Sequence, residues 1–488
     1  MLHSLRTPCH NADMNATPAA SSARPLELPQ GFVPALMASL CASVSISVAS
    51  GSYHPLAVFF VAATLAILGW QFSAALWPRR QTAPWPRAML IAAFLGLLVF
   101  AGIALHDDVL MYAIRPWRLG RTAQVASLLL LASYIPEITG WRTVSSRLRT
   151  ARFAAFAVAT LLAGVDAIYA SPAPRIDVWT LQTQSAIALE HGQNPYTHVA
   201  THDTDRGTFL VPFVYPPTQA LLSLAGHLLG GDVRFTLLIA MLIAGFCLRS
   251  IARRAGWPLL SFVEDAPTLY LWLSPKLFFI LEQAWVDPIQ LALFAMTIRA
   301  HLARRPLLTA ALLGLTVSSK QSMLWLIPLG AVLLEFRARQ WIGAVVAGAA
   351  AAIPFALWDF AALRHAVIDF ELSLPPRADA LTINAWAANV AHIAIPGAVG
   401  TVLAAVLTGV GTWALRRRGV FGLGIASATI YLFFFAFNKW AFANYYFFVL
   451  GLAALAASTS FYARAVPALE IVLAPSETEA STIIAPTR

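Results

Sequence analysis

Arg175-Ile176-Asp177-Val178-Trp179 opens the stretch of this sequence with the most chemical potential. A carboxylate such as Asp177, where an apolar run ends and a helix begins, could accept a proton from an incoming hydroxyl as a general base. It could equally be an ordinary helix N-cap. Arg175 could hold that carboxylate ionised or anchor the chain at phospholipid head groups. Val178, Leu181, Ser185, Ala188 and Leu189 recur at helical spacing and predict a helix lying along a membrane surface, ending near Glu190. Gly192-Gln193-Asn194-Pro195-Tyr196 then reads as a turn, because Gly ends the helix and the residue before proline avoids helical backbone. Tyr215-Pro216-Pro217 opens a further helix with proline in its first turn. Glu282, Gln283 and Asp287 stand at the end of a tight helix pair, and carboxylates at membrane depth are costly enough to suggest function. Lys320, between two short apolar stretches, needs an anionic partner. Lys439 precedes Asn444, Tyr445 and Tyr446, residue types that also mark membrane interfaces. The loop 359–395, with His365, Trp386 and several carboxylates, suits sugar rings and hydroxyls, although lone His and Trp residues in loops mostly serve packing.

The elements that must position these residues are membrane helices. The chain of 488 residues is 59% hydrophobic and only 11% charged, against about 25% charged in soluble domains. Apolar runs of roughly 17–25 residues, long enough to span a hydrocarbon core of about 30 Å, recur from Gly31 to Phe461. Lipid-exposed backbone must satisfy its own hydrogen bonds, so these runs predict an all-α polytopic protein rather than a barrel. The net charge of +10 sits in short clusters between apolar runs, the pattern of cytoplasmic loops, which argues against a nucleic-acid partner. Cys9, Cys41 and Cys247 are scattered, giving no disulfide framework, and no His/Cys set supports a transition metal.

Basic clusters at Arg79/Arg80/Arg87, Arg142/Arg147/Arg149/Arg152, Arg249/Arg253/Arg254, Arg299/Arg304/Arg305, Arg337/Arg339 and Arg416/Arg417/Arg418 fix the cytoplasmic side. The expected spans are 32–50, 55–77, 88–105, 122–139, 153–170, 233–250, 266–282, 287–303, 307–319, 321–335, 341–358, 396–415, 420–437 and 443–461. That makes about fourteen crossings with both termini inside. The short spans at 307–335 suggest half-depth helices meeting at Ser318, Ser319 and Lys320. Residues 217–229 are read as a helix lying in the outer interface. Segments 1–30 and 462–488 read as cytoplasmic tails, the first polar, disordered and without a signal-peptide h-region. Helices 31–140 precede a core at 153–461. With this topology the candidate residues all fall on the non-cytoplasmic face.

In this order, the membrane-exit Asp177, the Gly192–Tyr196 turn and Tyr215-Pro216-Pro217 resemble the GT-C superfamily of membrane glycosyltransferases. The likeness is to the DUF2029-type polyprenyl-phosphate-mannose-dependent mannosyltransferases. Looser matches are Ser274-Pro275, Gln283 with Asp287, Lys320-Gln321 and the segment Asn438–Tyr446, and the likeness covers roughly 153–461. The resemblance implies inverting transfer of a sugar, mannose or another pentose or hexose, from a polyprenyl-phosphate donor to a glycolipid, glycan or protein hydroxyl, with Asp177 as base. Lys320, Lys439 and Arg175 would then face the donor phosphate. Asn194, Tyr196, Tyr215, Glu282, Gln283, Asp287, His365, Asn444 and Tyr445 would line the substrate site. No cofactor is implied beyond the lipid-linked sugar, although Glu282, Gln283 and Asp287 could in principle hold a divalent cation through oxygen ligands. Membrane lipids are the expected surroundings.

The sequence departs from the family by placing about four spans before the matching unit, with a polar stretch from His106-Asp107-Asp108 to Arg121. These helices could be a separate module, hold a partner, or shape the acceptor entrance. A transporter or flippase of an amphipathic substrate is the competing reading, and the absence of convincing internal repeats weighs against it. A noncatalytic scaffold would make Asp177 dispensable.

Overall fold

A computed structural model describes residues 27–29, 31–77, 82–84, 87–106, 109–141, 144–204, 207–256 and 260–463. Most of both tails, Cys9, Arg79, Arg80, Asp107, Asp108 and Arg142 lie outside the described residues. Among the described residues the chain is mostly helical, and six helices are long and apolar enough to cross a membrane.

Each expected span coincides with a helix or a broken helix. The first helices are α1 (Phe32–Val48), α2 (Pro55–Leu76), α3 (Arg87–His106) and α4 (Arg118–Ala132). The short α5 (Ile135–Ile138) follows α4, separated where Pro136 enters. Next come α6 (Ser146–Ala170), α7 (Asp177–Glu190), α8 (Pro217–Gly230), α9 (Arg234–Arg254), α10 (Ser261–Trp272) and α11 (Leu277–Glu282). The expected continuous span 266–282 is therefore broken at 273–276, because Pro275 has no N–H to donate and its ring crowds the preceding turn. The remainder are α12 (Asp287–Leu302), α13 (Pro306–Val317), α14 (Leu326–Leu333), α15 (Ala338–Arg364), α16 (Phe370–Ser373), α17 (Ile383–Trp386), α18 (Ala398–Ala414), α19 (Gly419–Ala436) and α20 (Ala443–Ser460).

Helix α20 is the axis of the bundle. It is buried along its whole length, packed among α1, α9, α10, α12 and α19. Ser39 on α1 donates to the Leu450 carbonyl, and Ser43 shares a hydrogen bond with Ser274. The first helices are thus built into the core. Helices α13 and α14 fold back on one another where Gly330 meets Leu313, with Ser318–Lys320 at the turn. Helix α15 bends at Asp359, whose φ of −159° and ψ of 96° are not helical.

Among the described residues, two antiparallel strand pairs complete the architecture: Glu27–Pro29 with Thr82–Pro84 across α1 and α2, and a hairpin of Val199–Thr204 with Gly207–Pro212. Neither is anticipated in the sequence reading. The second connects the Gly192 turn to the Tyr-Pro-Pro segment.

Two of the arginines read as loop charges are core residues instead. Arg152 pairs with Glu137 at 2.8 Å, both almost fully buried, and its guanidinium also reaches Ser261 Oγ. Arg249 pairs with Asp265 at 2.6 Å, and Tyr134 Oη donates to the same carboxylate at 2.7 Å. This buried network lies at the opposite end of the bundle from Asp177 and joins α4–α5, α6, α9 and α10.

Candidate active site

Asp177 sits in the first turn of α7, but it is not the N-cap. Ile176 holds that position with extended backbone and no side-chain bond, and Asp177 Oδ1 accepts from the neighbouring Val178 N–H at 2.8 Å. A carboxylate there is favoured by the positive end of the helix dipole. It is half-buried and in no ion pair among the described residues.

Helix α7 is docked rather than merely resting on a surface. Gln182 is fully buried, donates to the Ala284 carbonyl, and accepts from Gln219 at 2.9 Å and Ser223 at 3.1 Å. That network ties α7 to α8 and to the α11–α12 corner. Asn194 Oδ1 accepts from the Tyr196 N–H, and Tyr196 Oη donates to the Tyr215 carbonyl at 2.8 Å. Asn194 and Tyr196, expected to touch substrate, are both buried and instead position the turn and Tyr215.

From the other side, Asp287 begins α12 with no exposure. Its Oδ1 accepts from Lys320 Nζ and its Oδ2 from Asn444 Nδ2, each at 2.8 Å. The Lys320 ammonium also lies 4.5 Å from the Tyr445 ring centroid. The anion that Lys320 requires is therefore Asp287. Gln321, beside it, bridges the carbonyls of Val214 and Val367 and holds the Tyr215 loop against a π-helical turn, His365–Asp369. Lys439 donates to the carbonyls of Glu371 and Leu374 at 2.6 and 2.9 Å, closing the end of α16. Burial lowers its pKa and Glu371 partly offsets that.

The charges and phenols converge. Tyr215 is pushed well above its ordinary range, first by burial and then by Asp177, Tyr445, Asp287 and Glu371. Arg377 forms a fork with Asp379 at 2.7 and 3.0 Å, and that bond, with Asp177 adding, raises its pKa. The hydroxyls of Tyr215 and Tyr445 have no hydrogen-bond partner among the described residues. Asp177, Tyr215, Asp287, Lys320, Glu371, Asn444 and Tyr445, drawn from separate elements, thus share one site.

Other expected members stand elsewhere. Glu282 is fully buried and spends both oxygens on the backbone N–H groups of Met111 and Tyr112, at 2.6 and 2.8 Å, while Gln283 donates to it at 3.3 Å. Both are therefore loop clamps in this structure. Arg175 is exposed, and its charge reaches Tyr112. His365 is exposed and no interaction joins it to the cluster. Among the described residues, no group of His, Cys, Asp or Glu could hold a metal ion. Glu371 and Arg377 were expected only as members of the loop 359–395, and Tyr112 was not expected at all. The first two lay in the flagged loop without any spacing to single them out, and Tyr112 lay in the flagged polar stretch ending at Arg121. No protein-family model, curated protein or solved structure matches this chain, so its residues alone carry the functional argument.

Proposed function

We propose that this chain is an inverting membrane glycosyltransferase. It moves a sugar, mannose or another pentose or hexose, from a polyprenyl-phosphate donor to an acceptor hydroxyl on the non-cytoplasmic face. The observation that carries the reading is Asp177: a half-buried carboxylate outside any ion pair, at a helix start, beside phenols with free hydroxyls. The Asp177 carboxylate takes the acceptor proton as the acceptor oxygen attacks the anomeric carbon. The bond from that carbon to the donor phosphate oxygen breaks, and polyprenyl phosphate leaves with the electron pair. Tyr215 and Tyr445 can hydrogen-bond sugar hydroxyls. Lys320 and Lys439 lie on the donor side, each already partnered, and a phosphate reaching Lys320 would share it with Asp287. Arg175 is an exposed cation two residues before Asp177 in the chain. The helices at each expected span support about fourteen crossings, a GT-C-like core and a multi-pass protein of the plasma or inner membrane.

The test compares purified wild type and Asp177→Asn in sugar transfer from polyprenyl-phosphate-mannose, then other lipid-linked sugars, to membrane acceptors. Loss of transfer with folding retained is expected. Undiminished transfer by the variant removes Asp177 as base. No transfer from any donor, with substrate counterflow in vesicles, would instead make the chain a transporter, a reading to which the broken α10–α11 helix is also suited.

A further inference from the structure

The first helices send a loop directly to the site. Residues between α3 and α4 are held at several points. Glu282 grips the N–H groups of Met111 and Tyr112, and the Ile114 N–H donates to the Ala170 carbonyl at 2.9 Å. Trp117 Nε1 donates to the Ala163 carbonyl at 3.0 Å, and the Gly120 N–H to Asp166 at 3.0 Å. These last three anchors are all on α6, whose end leads within a few residues to Asp177. A fully buried carboxylate that accepts from two consecutive amides fixes the backbone of Met111, which lies between them, and holds the amide from which Tyr112 starts. That side chain is half-buried, and its hydroxyl has no hydrogen-bond partner among the described residues. Burial pushes the phenol's pKa up, Glu282 and Asp177 add to that, and Arg175 opposes it.

We infer that Tyr112 is an acceptor-selecting residue of the site, presented by the loop of the first helices and positioned by Glu282. The inference rests on the glycosyltransferase reading above. Its phenol offers a ring face for a sugar and a hydroxyl for a hydrogen bond, on a loop anchored to the end of the helix that leads to Asp177. The first helices therefore contribute recognition, which a separately docked module would not.

The experiment uses the full-length protein with polyprenyl-phosphate-mannose as donor and octyl mannoside and octyl glucoside as acceptor probes. Tyr112→Phe is expected to raise the acceptor KM about two- to tenfold, the value of one hydrogen bond. Tyr112→Ala is expected to raise it about tenfold or more and to change the preference between the two probes. In both, the effect should fall more on acceptor KM than on kcat, as for a residue that binds the acceptor. Glu282→Gln should move acceptor KM in the same direction while Tyr112 remains present. A unfolding midpoint equal to wild type in the Tyr112 variants separates recognition from folding. If wild type transfers mannose and Tyr112→Ala leaves acceptor KM and preference unchanged, the inference is overturned and the enzyme reading survives. If wild type transfers no sugar from any lipid-linked donor, both fall.

Discussion

Replacing Asp287 by Asn should destabilise the protein substantially, and a second substitution should repair it. Asp287 has no exposure and Lys320 only 7%, and they meet at 2.8 Å. Removing one partner of a buried pair typically costs about 3–5 kcal/mol, because the remaining charge is left uncompensated. The Tyr445 ring, 4.5 Å from the ammonium, is already in contact in the wild type and so does not offset that loss. The expected loss for Asp287→Asn is therefore about 3–5 kcal/mol. Adding Lys320→Met removes the stranded ammonium, and a neutral buried pair of similar volume is often as stable as the ionic one. Reversible denaturant unfolding in mixed micelles, extrapolated linearly, gives the free energies for a double-mutant cycle. Asp287→Asn within about 0.5 kcal/mol of wild type would refute the argument, since additivity errors are of that size. So would a double variant no more stable than Asp287→Asn. A stable double variant that transfers no sugar would show that Lys320 or Asp287 does more than neutralise the other.

At the opposite end, Glu137→Gln should cost about 3–5 kcal/mol in the same unfolding assay, as Arg152 loses its buried partner. Gly51→Ala should lower transfer activity without touching a site residue: φ is +83° there, and a Cβ would lie 2.3 Å from the Ala443 nitrogen, displacing the start of α20 that carries Asn444 and Tyr445. Alkaline stability should depend on Tyr215. Its folded pKa lies well above the ordinary 10.0, so its contribution is fully present below pH 10.0 and is lost as pH rises beyond it, when the unfolded phenol ionises first. Unfolding of Tyr215→Phe measured at rising pH should show a shallower loss, and an unchanged slope would exclude this cause.

Helix positions and turn chemistry were legible because apolar length and proline–glycine punctuation are local signals. Asn194 and Gly192 behave as their types require, with the Asx turn at Tyr196 and a φ of +67°. Pairing was not legible, because it depends on where distant residues meet. Nothing in the sequence joins Lys320 to Asp287 or Glu282 to Met111 and Tyr112. Helix α7 looked weakly amphipathic because its inward face carries Gln182 and Ser185, polar residues that are both buried, Gln182 on a hydrogen-bonded contact. Arg152 and Arg249 looked like loop charges because charge counting cannot see Glu137 and Asp265 folding back onto them.

The pairing of α1 with α20 also bears on how the protein is made. Ser39 and its partner Leu450 are 411 residues apart. At about 5–20 residues per second of synthesis, α1 waits roughly 20–80 s for the helix it packs against. During that interval its serines face lipid or a stand-in, and Asn444 and Tyr445 do not yet exist. The site is assembled only when α20 slots between helices already inserted, and an insertion chaperone that shields the gap is the expected partner of the unfinished chain. A nascent chain arrested before Ala443 should be captured by such a factor and released once α20 is complete.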